Sequence, residues 1–247
     1  MRSDGARRAT MVAACGFLLM ALAVWNGPRT EVSHGGVPRP GGAESGTRSN
    51  RPEPPHLPGV GDLLWREVPA DTGQVVVVYG GDRDSSDSTL ALYERRGDAW
   101  ERLGNWAAHN GRRGWAADHR AGDERTPVGV FTLSDAGGRL ADPGTRLSYT
   151  QDEGAFVSPY FGDAAHWHDF DYVVAVDYNR RRGAPPYDPT RPEGQERGGG
   201  IWLHVDHGDG TLGCVSVPEA AMEYLLRVLD PRQGPVVVMG DEASLRS

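Results

Sequence analysis

The chain has 247 residues, a net charge of −8 at neutral pH, 34 glycines, 18 prolines and two cysteines. This acidic balance argues against a nucleic-acid partner, because phosphate binding requires clustered positive charge. About 200 residues remain after the N-terminal part, which is enough for one domain with a sizeable hydrophobic core.

The N-terminal residues predict export. Arg2, Arg7 and Arg8 precede the apolar stretch Met11–Trp25, which contains small residues suited to a cleavage site. We therefore interpret residues 1–25 as a signal peptide or, if uncleaved, a membrane anchor, and we expect an extracellular or cell-wall protein. Contact with a membrane would occur only through that uncleaved leader. Residues 26–59 are rich in Gly, Pro, Ser and Arg, which predicts a disordered linker before a folded domain over 60–247.

Short strands dominate the rest of the chain. β-Branched or alternating patterns predict strands over Gln74–Tyr79, Thr89–Glu94, Trp100–Trp106, Val128–Leu133, Tyr172–Val176, Ile201–Val205 and Val236–Met239. Helical spacing of apolar residues predicts one helix, Pro218–Leu229. The fold class is therefore mostly β, a β-sandwich or open barrel with one helix. The long loop Ala136–Ala165 carries aromatic residues among glycines and is suited to a cleft wall or lid.

A cysteine and a histidine stand where an enzyme would place a nucleophile and its base. His204 lies in the strand Ile201–Val205, and alternation puts it on the face opposite Leu203. Cys214 is the only cysteine outside the N-terminal apolar segment. Ser216 and Glu219 have capping-box spacing and Pro218 suits the first turn, so Cys214 would lie just before a helix N-terminus. Helix N–H groups would then lower the pKa of the thiol and stabilise an oxyanion.

Four blocks of sequence now resemble one known family. They are Gly122–Phe131, Asp177–Arg180, the strand ending near His204, and the segment Thr211–Val215 with its Thr-x-Gly-Cys-Val pattern. In this order they resemble the L,D-transpeptidase, or YkuD-like, catalytic domain of bacterial cell-wall enzymes, over residues 74 to 240. The family pattern has His directly before Gly-Cys. This chain has Leu212, so the second imidazole is absent or is supplied elsewhere.

The resemblance implies a YkuD-like fold and acyl transfer on peptidoglycan stem peptides. Cys214 would attack a stem-peptide carbonyl and release a terminal D-alanine. The thioester would pass to an amine in an L,D-transpeptidase or to water in an L,D-carboxypeptidase. His204 would act as the base, and the N–H groups of Gly213 and Cys214 would form the oxyanion site. No cofactor is implied.

Further residues are candidates for supporting or binding roles. Asp206, Thr211 and Ser216 flank the Cys–His pair and are candidates for support, and His207 is a spare base. Candidates for substrate binding are Arg180, Tyr178, Asn179, His166 and His168. The arginines 180–182 could bind a stem-peptide carboxylate through forked hydrogen bonds, although a charge run is also typical of a solvated turn.

Two other functions remain open at this point. A wall-binding module of the same fold could have lost turnover, because fold does not fix function. A zinc hydrolase could draw ligands from residues 166–169 and from His204, His207 and Cys214. However, these spacings do not match a helical His-x-x-x-His site, and His204 and His207 fall on opposite faces of a regular strand. We therefore expect no metal.

Overall fold

The computed structural model describes residues 56–160 and 162–247. The predicted leader, 1–25, and most of the predicted linker lie outside the described residues. Leu57 falls in the last part of that linker but is only 1% exposed and packs with Val60 and Trp65. Packing thus begins slightly before residue 60, because an apolar side chain at 57 has a core to join.

Strands form most of the regular structure of the described residues. They are β1 (Gln74–Gly80), β2 (Asp87–Arg96), β3 (Ala99–His109), β4 (Trp115–Ala116), β5 (Thr126–Pro127), β6 (Gly129–Gly138), β7 (Ser148–Gln151), β8 (Val173–Val176), β9 (Trp202–Val205), β10 (Val215–Val217) and β11 (Val236–Gly240). The α-helices are α1 (Asp62–Trp65), α2 (Glu219–Val228) and α3 (Glu242–Leu245), and 3-10 turns span Ala164–His166, Gln195–Arg197 and Pro231–Gln233. Every predicted strand is confirmed, as is the predicted helix, which corresponds to α2. Strands β4, β5, β7 and β10 were not predicted.

The main sheet closes on itself. Its strands run in the order β11-β1-β2-β3-β10-β9-β8-β6, and β6 pairs in turn with β11. β7 extends the sheet from β6, while β4 and β5 form a separate two-stranded sheet. The mostly β prediction is confirmed. Of the two architectures that the sequence left open, a barrel is formed, and it is closed because antiparallel β6 and β11 pair over Val236–Met239.

β1 is buried on both faces, which explains its unbroken apolar sequence. Val76 and Val78 belong to the larger core, whereas Val75 and Val77 belong to a second cluster with Leu57 and residues of the short helices α1 and α3. A strand covered on one side only would alternate with polar residues, but a strand covered on both sides reads as a continuous β-branched run. The N- and C-terminal segments of the described domain thus protect the outer face of β1.

Helix α2 packs its apolar stripe against the larger core. Ala221, Met222, Leu225 and Leu226 are fully buried in the same cluster as Leu203 of β9. The spacing of these residues predicted that stripe. No helix among the described residues is long and apolar enough to cross a membrane.

The burial of α2 gives a testable stability difference. Replacing Leu225, which is fully buried, with Ala should reduce the free energy of unfolding by about 2–5 kcal/mol through lost burial and a residual cavity. The same substitution at Leu63 of α1, which is 60% exposed, should change it by no more than about 0.5 kcal/mol. Urea denaturation of both variants measures the difference. Equal losses would contradict the packing described here.

Candidate active site

The candidate nucleophile and base stand on two neighbouring parallel strands. In β9 and β10, Leu203 pairs with Val215, His204 with Ser216, and Val205 with Val217. The two apolar pairs point into the barrel core. His204 and Ser216 therefore lie on the outer face, because successive side chains of a strand alternate.

Cys214 directly precedes β10 and continues the same alternation. Its position corresponds to Trp202 of β9, and the Trp202 N–H donates to the Cys214 sulfur over 3.4 Å. Cys214 is thus two residues before Ser216 on the same outer face. Because Ser216 pairs with His204, Cys214 is the diagonal neighbour of His204 on the adjacent strand. Adjacent strands therefore bring the two predicted catalytic residues to one side of the barrel.

The predicted helix Pro218–Leu229 is confirmed as α2, but the inference that its N-terminus lies beside Cys214 is wrong. β10 and Pro218 separate Cys214 from α2, which begins at Glu219. The predicted capping box is also wrong, since the Ser216 hydroxyl donates to Asp206 instead and the helix has no side-chain cap. A three-residue β-strand such as β10 has too few residues for periodicity to reveal it.

The Cys214 thiol is held by the backbone. In addition to the contact from Trp202, the Cys214 thiol donates to the Gly200 carbonyl oxygen, with 3.5 Å between the sulfur and that oxygen. Among the described residues no hydrogen bond joins the sulfur to an imidazole. Burial raises the pKa of Cys214 to about 12, although the Trp202 N–H favours the thiolate. This corrects the lowered pKa that the expected helix implied, because helix N–H groups do not surround the sulfur.

His204 is buried and neutral above mildly acidic pH. Its side chain is 3% exposed, and burial lowers its pKa to about 4. Nδ1 lies 2.8 Å from the Val205 carbonyl. A carbonyl only accepts, so Nδ1 carries the proton and Nε2 keeps a lone pair. His204 therefore has the tautomer that a general base requires.

The turn before Cys214 is fixed by Thr211. The Gly213 N–H donates to the Thr211 hydroxyl over 3.0 Å, and that hydroxyl donates to the Cys214 carbonyl over 2.6 Å. The predicted oxyanion donor at Gly213 is therefore already used in this state. The Cys214 N–H has no acceptor in the described part of the chain. Gly213 has φ +135°, and a Cβ there would lie 3.0 Å from the Arg125 carbonyl, so the turn requires glycine.

Asp206 supports the sheet beside the pair. It accepts hydrogen bonds from the Ser216 hydroxyl over 2.6 Å and from His109 of β3 over 2.8 Å. The orientation of His204 comes from the Val205 carbonyl, so Asp206 does not orient the base directly. Thr126 of β5 also reaches the Cys214 carbonyl, over 3.3 Å. Its segment was recognised by resemblance, but no residue pattern indicated this contact.

The sequence model of the YkuD L,D-transpeptidase catalytic domain matches residues 75–238, which is more than half of the chain. The chain belongs to this family. Among solved structures, one match is Bd1075 of Bdellovibrio bacteriovorus, with 18% identity and a TM-score of 0.37. That match covers 68% of this chain and 47% of the other, so the chain spans about half the length of that relative. A comparison with curated proteins found no match.

In this L,D-transpeptidase domain, Arg180 forms internal contacts. Its guanidinium is 3% exposed and donates to Asp135 over 2.8 Å, to Asp177, and to the Ala184 carbonyl over 2.6 Å. A buried cation with these partners supports the fold, because removing it would leave the buried Asp135 carboxylate without a cationic partner and Asp177 with Arg182 alone. These contacts favour a structural role over the predicted binding of a stem-peptide carboxylate.

Tyr178 and Asn179 are likewise built into the L,D-transpeptidase domain. Both are about 5% exposed or less. The Tyr178 hydroxyl donates to the Arg197 carbonyl over 2.9 Å, and the Asn179 amide donates to the Gly198 carbonyl over 2.7 Å. Asn179 has φ +43°, a conformation that asparagine tolerates better than most residues. Both side chains therefore hold the loop that precedes β9.

The segment between β7 and β8, which overlaps the predicted loop Ala136–Ala165, lies over the outer face of β9. Phe156 and Phe170 pack edge-on against Trp202, with ring centroids 5.7 and 5.0 Å from it. The same segment lines a cavity of about 380 Å³. The predicted binding residues His166 and His168 both line this cavity, whereas Cys214 and His204 do not.

Burial of the His204 imidazole makes the stability of the L,D-transpeptidase domain depend on pH. His204 titrates near pH 6.5 when unfolded and near pH 4 when folded, so between these values the unfolded state binds the extra proton. The contribution of neutral His204 to the free energy of unfolding is complete above pH 6.5 and is lost as the pH falls towards 4. Between pH 7 and pH 5 the free energy of unfolding of the parent should fall by about 2 kcal/mol more than that of the His204→Gln variant.

Urea denaturation of both proteins at the two pH values measures this loss. Titrating groups that do not interact with His204 are common to parent and variant and cancel in the comparison. Identical pH-dependence in the two proteins would contradict a buried, neutral His204.

Proposed function

We propose that this protein is a secreted cysteine acyltransferase of peptidoglycan stem peptides, an L,D-transpeptidase or L,D-carboxypeptidase. The observation that carries the proposal is the register of β9 and β10, which sets His204 and Cys214 on one outer face within a matched L,D-transpeptidase domain. The apolar N-terminal segment supports secretion. Family membership supports a stem-peptide substrate.

The two protonation states suit a reaction that begins from a neutral pair. With the thiol pKa raised and the imidazole pKa lowered, Cys214 keeps its proton until a substrate carbonyl is in place. Nε2 of His204 then accepts that proton while Sγ forms a bond to the carbonyl carbon. Positive charge on the imidazole is stabilised by the Val205 carbonyl, to which Nδ1–H already donates.

Collapse of the tetrahedral intermediate would complete acylation. The carbon–nitrogen bond to the terminal D-alanine breaks, the imidazolium returns its proton to the leaving amine, and a thioester remains on Cys214. The Cys214 N–H is the backbone donor available to the oxyanion, while the Gly213 N–H would first have to leave Thr211. An acceptor amine or water then attacks the thioester and restores the thiol.

A disaccharide tetrapeptide tests this proposal. The full-length protein should release D-alanine and form a cross-linked dimer or a tripeptide, both detectable by mass spectrometry. Cys214→Ala should abolish both products. His204→Gln should slow them by about 100-fold or more, the range expected for a lost general base.

His109→Gln is the matched control. His109 lies in the same row of the sheet as His204, across Ser216, but contacts Asp206 rather than the turn that carries Cys214. This variant should keep most of the turnover. If the folded parent forms neither product yet binds wall fragments as Cys214→Ala does, the protein is a wall-binding module and the proposal is wrong.

A further inference from the structure

Two loops bring a second group of histidines together next to the Cys–His pair. His166 ends a 3-10 turn and Asp169 follows it, while His207 lies in the loop after β9. Nδ1 of His166 is 2.9 Å from Asp169 Oδ2, and Nδ1 of His207 is 3.3 Å from Asp169 Oδ1. One candidate ligand atom from each of the three residues lies within 4.8 Å of the others.

The group is buried but incompletely paired. The side chains of Asp169 and His207 are each 4% exposed, and that of His166 is 14% exposed. Asp169 Oδ1 and His207 Nδ1 are buried and form an ion pair over 3.3 Å that lacks good hydrogen-bond geometry, and neither atom has another partner among the described residues. Buried polar atoms are rarely left unpaired, since each costs about 1–3 kcal/mol. A metal ion bound between these two atoms would satisfy both of them.

Neighbouring groups hold the three side chains in place. Tyr160 stacks on the His166 ring with centroids 4.1 Å apart, and the Ser158 hydroxyl donates to Asp169 over 3.3 Å. The Asp169 carbonyl accepts the Val205 N–H over 3.0 Å, which ties this loop to the end of β9. Ligand positions fixed in this way lower the entropy cost of binding.

The donor set suits a transition metal, and one of its separations already fits. Two imidazoles and one carboxylate are the ligands of many zinc sites, and bonds of about 2.0–2.1 Å put tetrahedral ligand atoms about 3.3–3.4 Å apart. The His207–Asp169 separation of 3.3 Å matches that value. Since His166 also lines the 380 Å³ cavity, a fourth position would be reached from it.

We propose that His166, Asp169 and His207 bind Zn²⁺ or another divalent transition metal that prefers imidazole. On binding the ion, each histidine would give up its Nδ1 proton, or shift it to Nε2, and present an Nδ1 lone pair, while the carboxylate would supply the negative charge. The bound ion would link the segment between β7 and β8 to the loop after β9, beside His204, whose ring lies parallel to that of His207 with centroids 6.0 Å apart. This site does not depend on the proposed acyl transfer.

The chain contains a matched control. His168 and Asp171 have the same spacing as His166 and Asp169, and Nδ1 of His168 lies 2.6 Å from Asp171. However, the His168 side chain is 74% exposed, and no third ligand completes a comparable cluster there among the described residues. Loss of this pair should leave zinc binding unchanged.

Titration of the full-length, untagged protein with Zn²⁺ by calorimetry tests the proposal. The parent and Cys214→Ala should each bind one equivalent, and His168→Ala should bind as the parent does. His207→Ala and Asp169→Asn should weaken binding by about tenfold or more. Asp169→Asn keeps the size of the side chain, and thermal unfolding without metal confirms that each variant is folded.

Three results would overturn the zinc site. They are the absence of saturable binding by the parent, binding that both His207→Ala and Asp169→Asn leave unchanged, and binding that Cys214→Ala removes. The last result would assign the metal to the thiol. Because none of these measurements uses turnover, failure of the zinc site and failure of the acyltransferase proposal are distinguishable.

Discussion

Val215 pairs with Leu203, and Val217 pairs with Val205, with all four side chains in the core of the barrel. A slip of one residue between β9 and β10 would expose these side chains and turn the outer ones inward, so the apolar pattern fixes the register. The placement of His204 and Cys214 follows from that constraint. Hydrophobic burial on the inner face thus sets the geometry of the polar outer face.

The same packing determines the protonation of the pair. Burial opposes charge on either group, so it raises the pKa of Cys214 and lowers that of His204. The Val205 carbonyl selects the tautomer of His204, while Trp202 and Gly200 hold the sulfur. The resting site is therefore a neutral thiol beside a neutral imidazole, and a thiolate would form only as the substrate reacts. A neutral thiol also resists oxidation better than a thiolate does.

The sequence predicted features that depend on local pattern. Alternation in Ile201–Val205 put His204 opposite Leu203, and helical spacing identified the buried face of α2. By contrast, β10 is too short to show a period, so Cys214 was expected just before a helix N-terminus. The use of the Gly213 N–H by Thr211 depends on turn geometry that residue types alone do not specify.

Contacts between distant segments were the least predictable. Asp169 and His207 are 38 positions apart and meet only because the Asp169 carbonyl pairs with the Val205 N–H at the end of β9. The sequence argument against a metal treated His204 and His207 as members of one strand, but β9 ends at Val205. His207 is therefore free of that alternation and turns towards the other loop.

The rate at which iodoacetamide alkylates Cys214 between pH 6 and pH 9 tests the neutral resting pair most directly, with the adduct mapped to Cys214. A thiol pKa of about 12 predicts a rate that rises about tenfold per pH unit across this range without a plateau, because the thiolate is the reacting species. A plateau reached below pH 8 would mean a preformed thiolate and would contradict the account.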